Sequence, residues 1–339
     1  MQLPRYCTRT LEGHQGAVLV VRFNSDGNYC LTGGQDHTIR LWNPRRGNLV
    51  QTFRGHGYEV FDIAVETGNA HFASCGGDKD VFIWDVGATK VIRRLRGHNQ
   101  KVNAVRYNED CSLLISASFD QTVRIWDLRS KSFTPIQVLD DFKDSVSGLA
   151  LTNREIIASC VDGCVRTYDI AAGQLRTDTL GTAITCVSVS HDGNCILCSC
   201  LDGTLRLIDR SNGTLLCQYK GHQNTRYKVE SCLSPDDSHV VSGSEEGAIF
   251  MWSLVEGQVV RKLEGHRNVS CSLAFHPSTH EDAMLVSASV DGTVKVWNTQ
   301  QATEQPIVAA PLAAAKEEET PFPETLPRAD PSKLPFSVA

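Results

Sequence analysis

One period runs through most of this chain and constrains its fold more than any other feature. Gly-His pairs stand at Gly13-His14, Gly55-His56 and Gly97-His98, 42 residues apart, and again at Gly221-His222 and Gly265-His266. The five tryptophans keep the same step: Trp42, Trp84 and Trp126 are 42 residues apart, and Trp252 and Trp297 follow. Tyr168-Asp169 and Ile208-Asp209 stand where two more Trp-Asp pairs would fall, which makes seven units. An acidic residue precedes each of these seven positions by six: Asp36, Asp78, Asp120, Asp162, Asp202, Glu246 and Asp291. Units of this length cannot bury an apolar face alone and must stack on their neighbours.

Each unit reads as short strands. In the first, Val18–Phe23 is apolar and β-branched, and Asn24-Ser25-Asp26-Gly27-Asn28 is a turn of residues that tolerate positive φ. Tyr29–Thr32 is the next strand, Gln35-Asp36-His37 turns, and Thr38–Trp42 alternates as a half-buried strand does. Leu49–Phe53 then leads into the next Gly-His. The pattern predicts an all-β chain: a seven-bladed β-propeller with four antiparallel strands per blade over residues 5–298. Tyr6–Leu11 precedes the first Gly-His as Val259–Leu263 precedes the last, and nothing similar follows Trp297. The N-terminal strand is therefore expected to close the ring as the outer strand of the last blade, since an open ring would leave bare strand edges.

Within five units a second pattern recurs: a His after Gly, a Ser or Thr, the acid and the Trp. The sets are His14, Thr32, Asp36 and Trp42; His56, Ser74, Asp78 and Trp84; His98, Ser116, Asp120 and Trp126; His222, Ser242, Glu246 and Trp252; and His266, Ser287, Asp291 and Trp297. A buried carboxylate needs donors, and His, Ser and Trp supply them. The units around Tyr168 and Ile208 lack the set: Ala158 and Cys198 hold the hydroxyl position, and Asp140-Asp141 and Leu180-Gly181 replace Gly-His. A His, Ser and Asp together suggest a catalytic triad, but a set repeated five times is structural, because catalysis needs one site. No phosphate-binding glycine loop, Gly-x-Ser-x-Gly elbow or His-Glu-x-x-His motif is present, and no enzyme activity is expected.

Composition narrows the partners. Lys and Arg number 33 against 39 Asp and Glu, a net charge of -6, so no direct grip on nucleic acid is expected. No apolar run is long enough for a membrane helix, and Met1–Leu11, with Pro4, Arg5 and Arg9, lacks the apolar core of a secretory signal. The 13 cysteines are odd in number and predict free thiols in a reducing compartment. Cys195, Cys198 and Cys200 have no second ligand pair nearby, so they read as packing residues; no metal or cofactor is expected.

The repeats resemble the WD-repeat family over about residues 5–298, and in that family the four recurring residues form a hydrogen-bonded chain across each blade. Asp26–Thr32, Gly55–Val60, Gly76-Gly77-Asp78-Lys79 and Tyr219-Lys220-Gly221-His222 look like the mitogen-activated protein kinase organizer branch, as do Val161–Arg166 and Leu201–Leu207. That resemblance implies a cytoplasmic and nuclear scaffold, a monomeric propeller that binds kinase-module components and associates with spliceosomal proteins. A second function class is a substrate receptor of a cullin-type ubiquitin ligase, for which Trp126-Asp127-Leu128-Arg129 matches the Trp-Asp-x-Arg motif.

Candidate contact residues are few. Tyr58, Lys101 and Phe119 fall in or beside loops expected to open on one face, and Phe119 is a large apolar residue in a turn that does not need one. Arg226 and Tyr227 lie in a longer loop: His222 to Ser242 spans 20 residues, against 18 in the first three units. Arg129 is the candidate ligase contact. Residues 299–339 are rich in Pro, Ala and Glu, with seven of the 12 prolines beyond residue 300, and their composition predicts a disordered tail. Pro321-Phe322-Pro323 and Leu334-Pro335-Phe336 are possible short peptide ligands within it.

Overall fold

The computed structural model describes residues 2–278 and 283–301. The expectation of a disordered tail therefore falls, beyond residue 301, outside the described residues, as do its two Pro-Phe motifs. The strands form seven four-stranded antiparallel sheets, and the described residues contain no helix. In blade one, Val18–Phe23, Cys30–Gly34, Thr38–Asn43 and Asn48–Arg54 pair in chain order from the axis outward. The seventh sheet breaks that order. Its outer strand is Tyr6–Leu11, which pairs antiparallel with Val294–Asn298, Leu11 opposite Val294. The ring is thus closed by the N-terminal strand, and the first and last blades become one covalent seam.

The apolar residues of each blade face the next blade, so the core is seven layers between sheets. Between blades one and two, Val20, Leu31, Ile39 and Phe53 meet Ile63, Phe72, Phe82 and Trp84, all buried. Phe72 stacks on Trp84 at 5.7 Å and Phe53 meets both rings edge-on. Inner strands are largely apolar because both neighbouring blades cover them, whereas outer strands such as Lys90–Leu95 alternate exposed and half-buried residues and end on a buried leucine. After each acid of the repeat the chain turns through positive φ. His37, Lys79 and Gln121 take it at 62°, 66° and 65°, and Gly163, Gly203, Gly247 and Gly292 hold the same place in the other blades.

Blade six departs from the pattern. Its inner strand is only Ser231–Leu233, where the other inner strands have six residues. Ser231 pairs with Ser242 as Ile63 pairs with Ser74, so the two extra residues of this repeat lie between His222 and the inner strand. That insertion shapes the site described next.

Candidate interaction surface

Four blades contain a complete hydrogen-bonded relay. In blade three, His98 Nδ1 lies 2.9 Å from Asp120, His98 Nε2 lies 2.8 Å from Ser116 Oγ, and Trp126 Nε1 donates to Ser116 Oγ at 2.9 Å. The carboxylate only accepts, so the histidine proton sits on Nδ1, and Nε2 accepts from the serine hydroxyl. His14–Asp36 with Thr32 and Trp42, His56–Asp78 with Ser74 and Trp84, and His266–Asp291 with Ser287 and Trp297 repeat the geometry. Burial lowers the basicity of His98 against the opposing pull of Asp120. Burial also raises the Asp120 carboxyl, but hydrogen bonds from His98 and Thr122 outweigh it and hold the group well below the usual carboxylate range. The hydroxyls of Ser74, Ser116 and Ser287 belong to fully buried residues, so no substrate reaches them as nucleophiles.

The fifth expected relay, His222, Ser242, Glu246 and Trp252, does not form. Both ring nitrogens of His222 are buried without a hydrogen-bond partner. Trp252 Nε1 donates instead to Lys220 O at 2.9 Å, the Ser242 hydroxyl to Gly243 O, and Glu246 pairs with Lys262 at 3.1 Å. The physical cause is the two-residue insertion. Glu245 turns to the longer loop and accepts from the N–H groups of Thr225, Arg226 and Tyr227, while Gln223 N–H goes to Ser244 Oγ. Burial pushes His222 down to about 4, with Asp202 and Glu245 opposing. Blade four needs a smaller correction. Counting seven residues back from the paired inner-strand position, Phe142 rather than Asp141 takes the histidine's place, against Arg166 at 5.0 Å and Tyr168 at 6.1 Å.

The axis carries a charged chain that sequence reasoning missed. Arg22 of blade one donates to Glu230 through both terminal nitrogens at 2.7 Å and to Asp62 at 2.8 Å. Arg106 of blade three also donates to Asp62, and Ser272 of blade seven donates to Glu230 at 2.6 Å. Asp62 is 1% exposed, and burial raises its carboxyl, but Arg106 and Arg22 outweigh the burial and keep it ionised. The signal was in the period: Arg22 and Arg106 are 84 residues apart and Asp62 and Glu230 168, whole multiples of 42.

The relays also orient the surface. Each joins a loop before an inner strand to the turn holding the acid, so both kinds of loop lie on one face. Tyr58, Lys101, Phe119, Arg226 and Tyr227 all fall in these loops, and Tyr58, Phe119 and Tyr227 are 60%, 42% and 50% exposed. Lys101 lies over the rings of Phe119 at 4.8 Å and Phe61 at 5.8 Å. Lys101, Tyr227 and Lys228 line one hollow at the mouth of the channel, with Leu19 and Phe61 in its wall. Tyr58, Phe119 and Arg226 lie outside that hollow. Arg129 follows the third strand of blade three, at the opposite end of the strands; its side chain is 73% exposed and rests on Asp127 at 3.3 Å. Among the described residues, no group of three or more His, Cys, Asp and Glu is placed to hold a metal, and all 13 cysteines are free thiols.

Comparison with known proteins agrees with this architecture. The WD domain, G-beta repeat family matches residues 5–43, 47–85, 89–127, 174–209, 213–253 and 257–298. The unmatched interval holds most of blade four, where Phe142 replaces the histidine. The chain is 53% identical over 299 residues to WD repeat domain-containing protein 83 of Rattus norvegicus and 50% identical to that of Homo sapiens, covering in both cases 88% of this chain and 94% of the relative. It is 36% identical over 323 residues to the WD repeat domain-containing protein 83 homolog of Dictyostelium discoideum, covering 87% of this chain and 98% of the relative. The chain belongs to the WD-repeat family, whose propeller is generally a protein-interaction scaffold.

Proposed function

We propose that this WD-repeat propeller is a non-catalytic scaffold that organises mitogen-activated protein kinase modules and associates with the pre-mRNA splicing machinery, in both cytoplasm and nucleus. The observation that carries the scaffold reading is the group of exposed Phe119, Tyr227 and Lys101 on rigid loops of one face. Aromatic anchors held by a stiff frame bind protein at low ordering cost. The buried His, Ser and Asp sets have no access to a substrate. Kinase-module and spliceosomal partners are the choice implied by the sequence resemblance, and the net charge of -6 favours reaching the splicing machinery through protein rather than RNA.

Coprecipitation tests the reading. Two kinase-module proteins that bind separate surfaces should coprecipitate only when the propeller is present, with a bell-shaped dependence on its concentration, because excess scaffold splits the pair. A monotonic rise to a plateau, or turnover of a substrate by the purified chain, would overturn it. Arg129, exposed in its Trp-Asp-Leu-Arg sequence on the other face, supports a second reading as a ubiquitin-ligase substrate receptor. Copurification of the ligase adaptor, abolished by Arg129→Ala, would favour that reading instead.

A further inference from the structure

The charges about the axis do not balance. Arg22, Arg106 and Lys228 bring three positive charges, and Asp62 and Glu230 bring two negative ones. Both carboxylates are already engaged, Asp62 on both oxygens by two donors each and Glu230 chiefly by Arg22. Asp62 accepts from Arg22, Arg106 and the N–H groups of Ile63 and Val105; Glu230 accepts from Arg22 and Ser272. Lys228 feels the field of Asp62 and Glu230 but makes one hydrogen bond, reaching across the channel to Asn103 O at 3.0 Å, although an ammonium has three donors. Among the described residues neither Lys228 nor Lys101 forms an ion pair, yet both face the same hollow. Two ammonium groups without an ion pair thus line one hollow in a chain of net charge -6. The two-residue insertion that opens the His222 relay lies in the same stretch that brings Lys228 to the axis.

A half-buried charge needs a counter-charge, and the wall between the two lysines needs apolar surface. Leu19, Phe61, Cys271 and Val290 give the hollow its apolar wall; Glu230 also lines it, but its charge is taken up by Arg22 at 2.7 Å. A carboxylate next to a large apolar side chain supplies both. A phosphoryl group would satisfy the lysines but not the wall.

We infer that the axial hollow receives a short partner segment carrying Asp or Glu beside a large apolar residue: the carboxylate joins Lys228 and Lys101, and the apolar side chain packs on Leu19, Phe61 and Val290. This inference rests on the scaffold reading and names the partner chemistry at that face.

The full chain is used as bait for a random heptapeptide display library. A synthetic peptide with Leu-Glu-Phe at its centre is then titrated by fluorescence anisotropy, beside versions carrying Gln or phosphoserine in place of Glu and beside single-stranded RNA. Selection should enrich Asp or Glu next to Leu, Ile or Phe. Replacing Glu by Gln in the peptide, or Lys228→Gln in the protein, should each weaken binding at least about tenfold, and the two together little more than either alone. Lys101→Gln provides the same test if the Lys228 variant does not fold, and His191→Ala should bind unchanged. Enriched peptides without acidic preference would overturn this inference and leave the scaffold reading standing. Tighter binding of the phosphoserine peptide or of RNA would overturn it too. A library that yields no binder would overturn both.

Discussion

Replacing His98 and His222 separately by Ala measures what the relay contributes, because one histidine is fully bonded and the other is not. His98→Ala removes the hydrogen bonds to Asp120 at 2.9 Å and Ser116 at 2.8 Å, and a longer one with Thr122 at 3.3 Å. Asp120 keeps donors from Asn99 and Thr122, but the buried Ser116 hydroxyl loses its acceptor while still receiving the Trp126 proton. One stranded buried hydroxyl costs about 1–3 kcal/mol, and loss of the ring against Trp126 adds packing loss, for a total of about 2–4 kcal/mol. His222→Ala removes no hydrogen bond. It deletes a ring packed edge-on against Trp252 at 5.4 Å but also two buried nitrogens that have no partner. These effects offset, so the expected loss is below about 1 kcal/mol. Urea unfolding followed by tryptophan fluorescence resolves a difference of this size. Equal losses, or a larger loss for His222→Ala, would refute the assignment of four working relays and one open one.

Three further outcomes follow from the same geometry. Asp62→Asn should destabilise the fold by about 3–5 kcal/mol, because it removes the buried carboxylate that Arg22 and Arg106 share and leaves the half-buried Arg106 facing a neutral amide; an effect no larger than that of exposed Asp192→Asn would contradict the axial chain. Deleting residues 2–11 should expose the edge of Val294–Asn298 and make the protein associate, detectable by light scattering; a monodisperse, fully folded variant would show that ring closure is not needed. Burial holds His222 at about 4 in the fold against 6.5 unfolded, so the unfolded chain takes up its proton first and stability falls as pH drops from 6.5 to 4. The full shift corresponds to about 3 kcal/mol, and His222→Phe should flatten the pH dependence of unfolding over that window. An unchanged slope would mean the ring is not buried neutral.

The ring, its blade count and its closure were legible because they depend on residue type at a fixed spacing. Tyr6–Leu11 could be matched to the last blade since it repeats the segment before Gly265-His266. The relays were legible as candidates, but residue type alone cannot show whether four side chains meet. For His222 the warning was the span of 20 residues to Ser242, which reads as a surface loop until the pairing of Ser231 with Ser242 places the insertion before the inner strand. Phe142 was hidden because the repeat was aligned on Gly-His, and only strand register shows which residue fills the histidine's space. The axial charges were missed because a lone Arg or Asp in an apolar strand is ordinarily read as a solvent-facing residue. In an inner strand covered by both neighbouring blades, it has to find a partner in another blade.

That requirement explains how the ring tolerates an open relay in blade six. The relays tie strands within a blade, so losing one leaves the seams between blades untouched. Each seam has its own polar link near the axis. Blades six, seven, one, two and three are joined through Glu230, Ser272, Arg22, Asp62 and Arg106. The other seams use neutral groups: Asn103 to Val146 O at 2.8 Å, Ser147 to Ile184 O at 2.6 Å and Ser199 to Ser231 at 2.7 Å. The charged links are costlier to bury, and they run through the blade that the N-terminal strand must close. Successive blades elsewhere are held side by side by the chain itself, whereas the closing blade is completed by a strand from the far end of the sequence. An ionic chain anchored in both blade one and blade six fixes that last seam in one register, because any slip would strand a buried charge. Blade six, released from its own relay but held by Glu230, can then give its longer loop to the channel mouth, where Lys228 faces the partner.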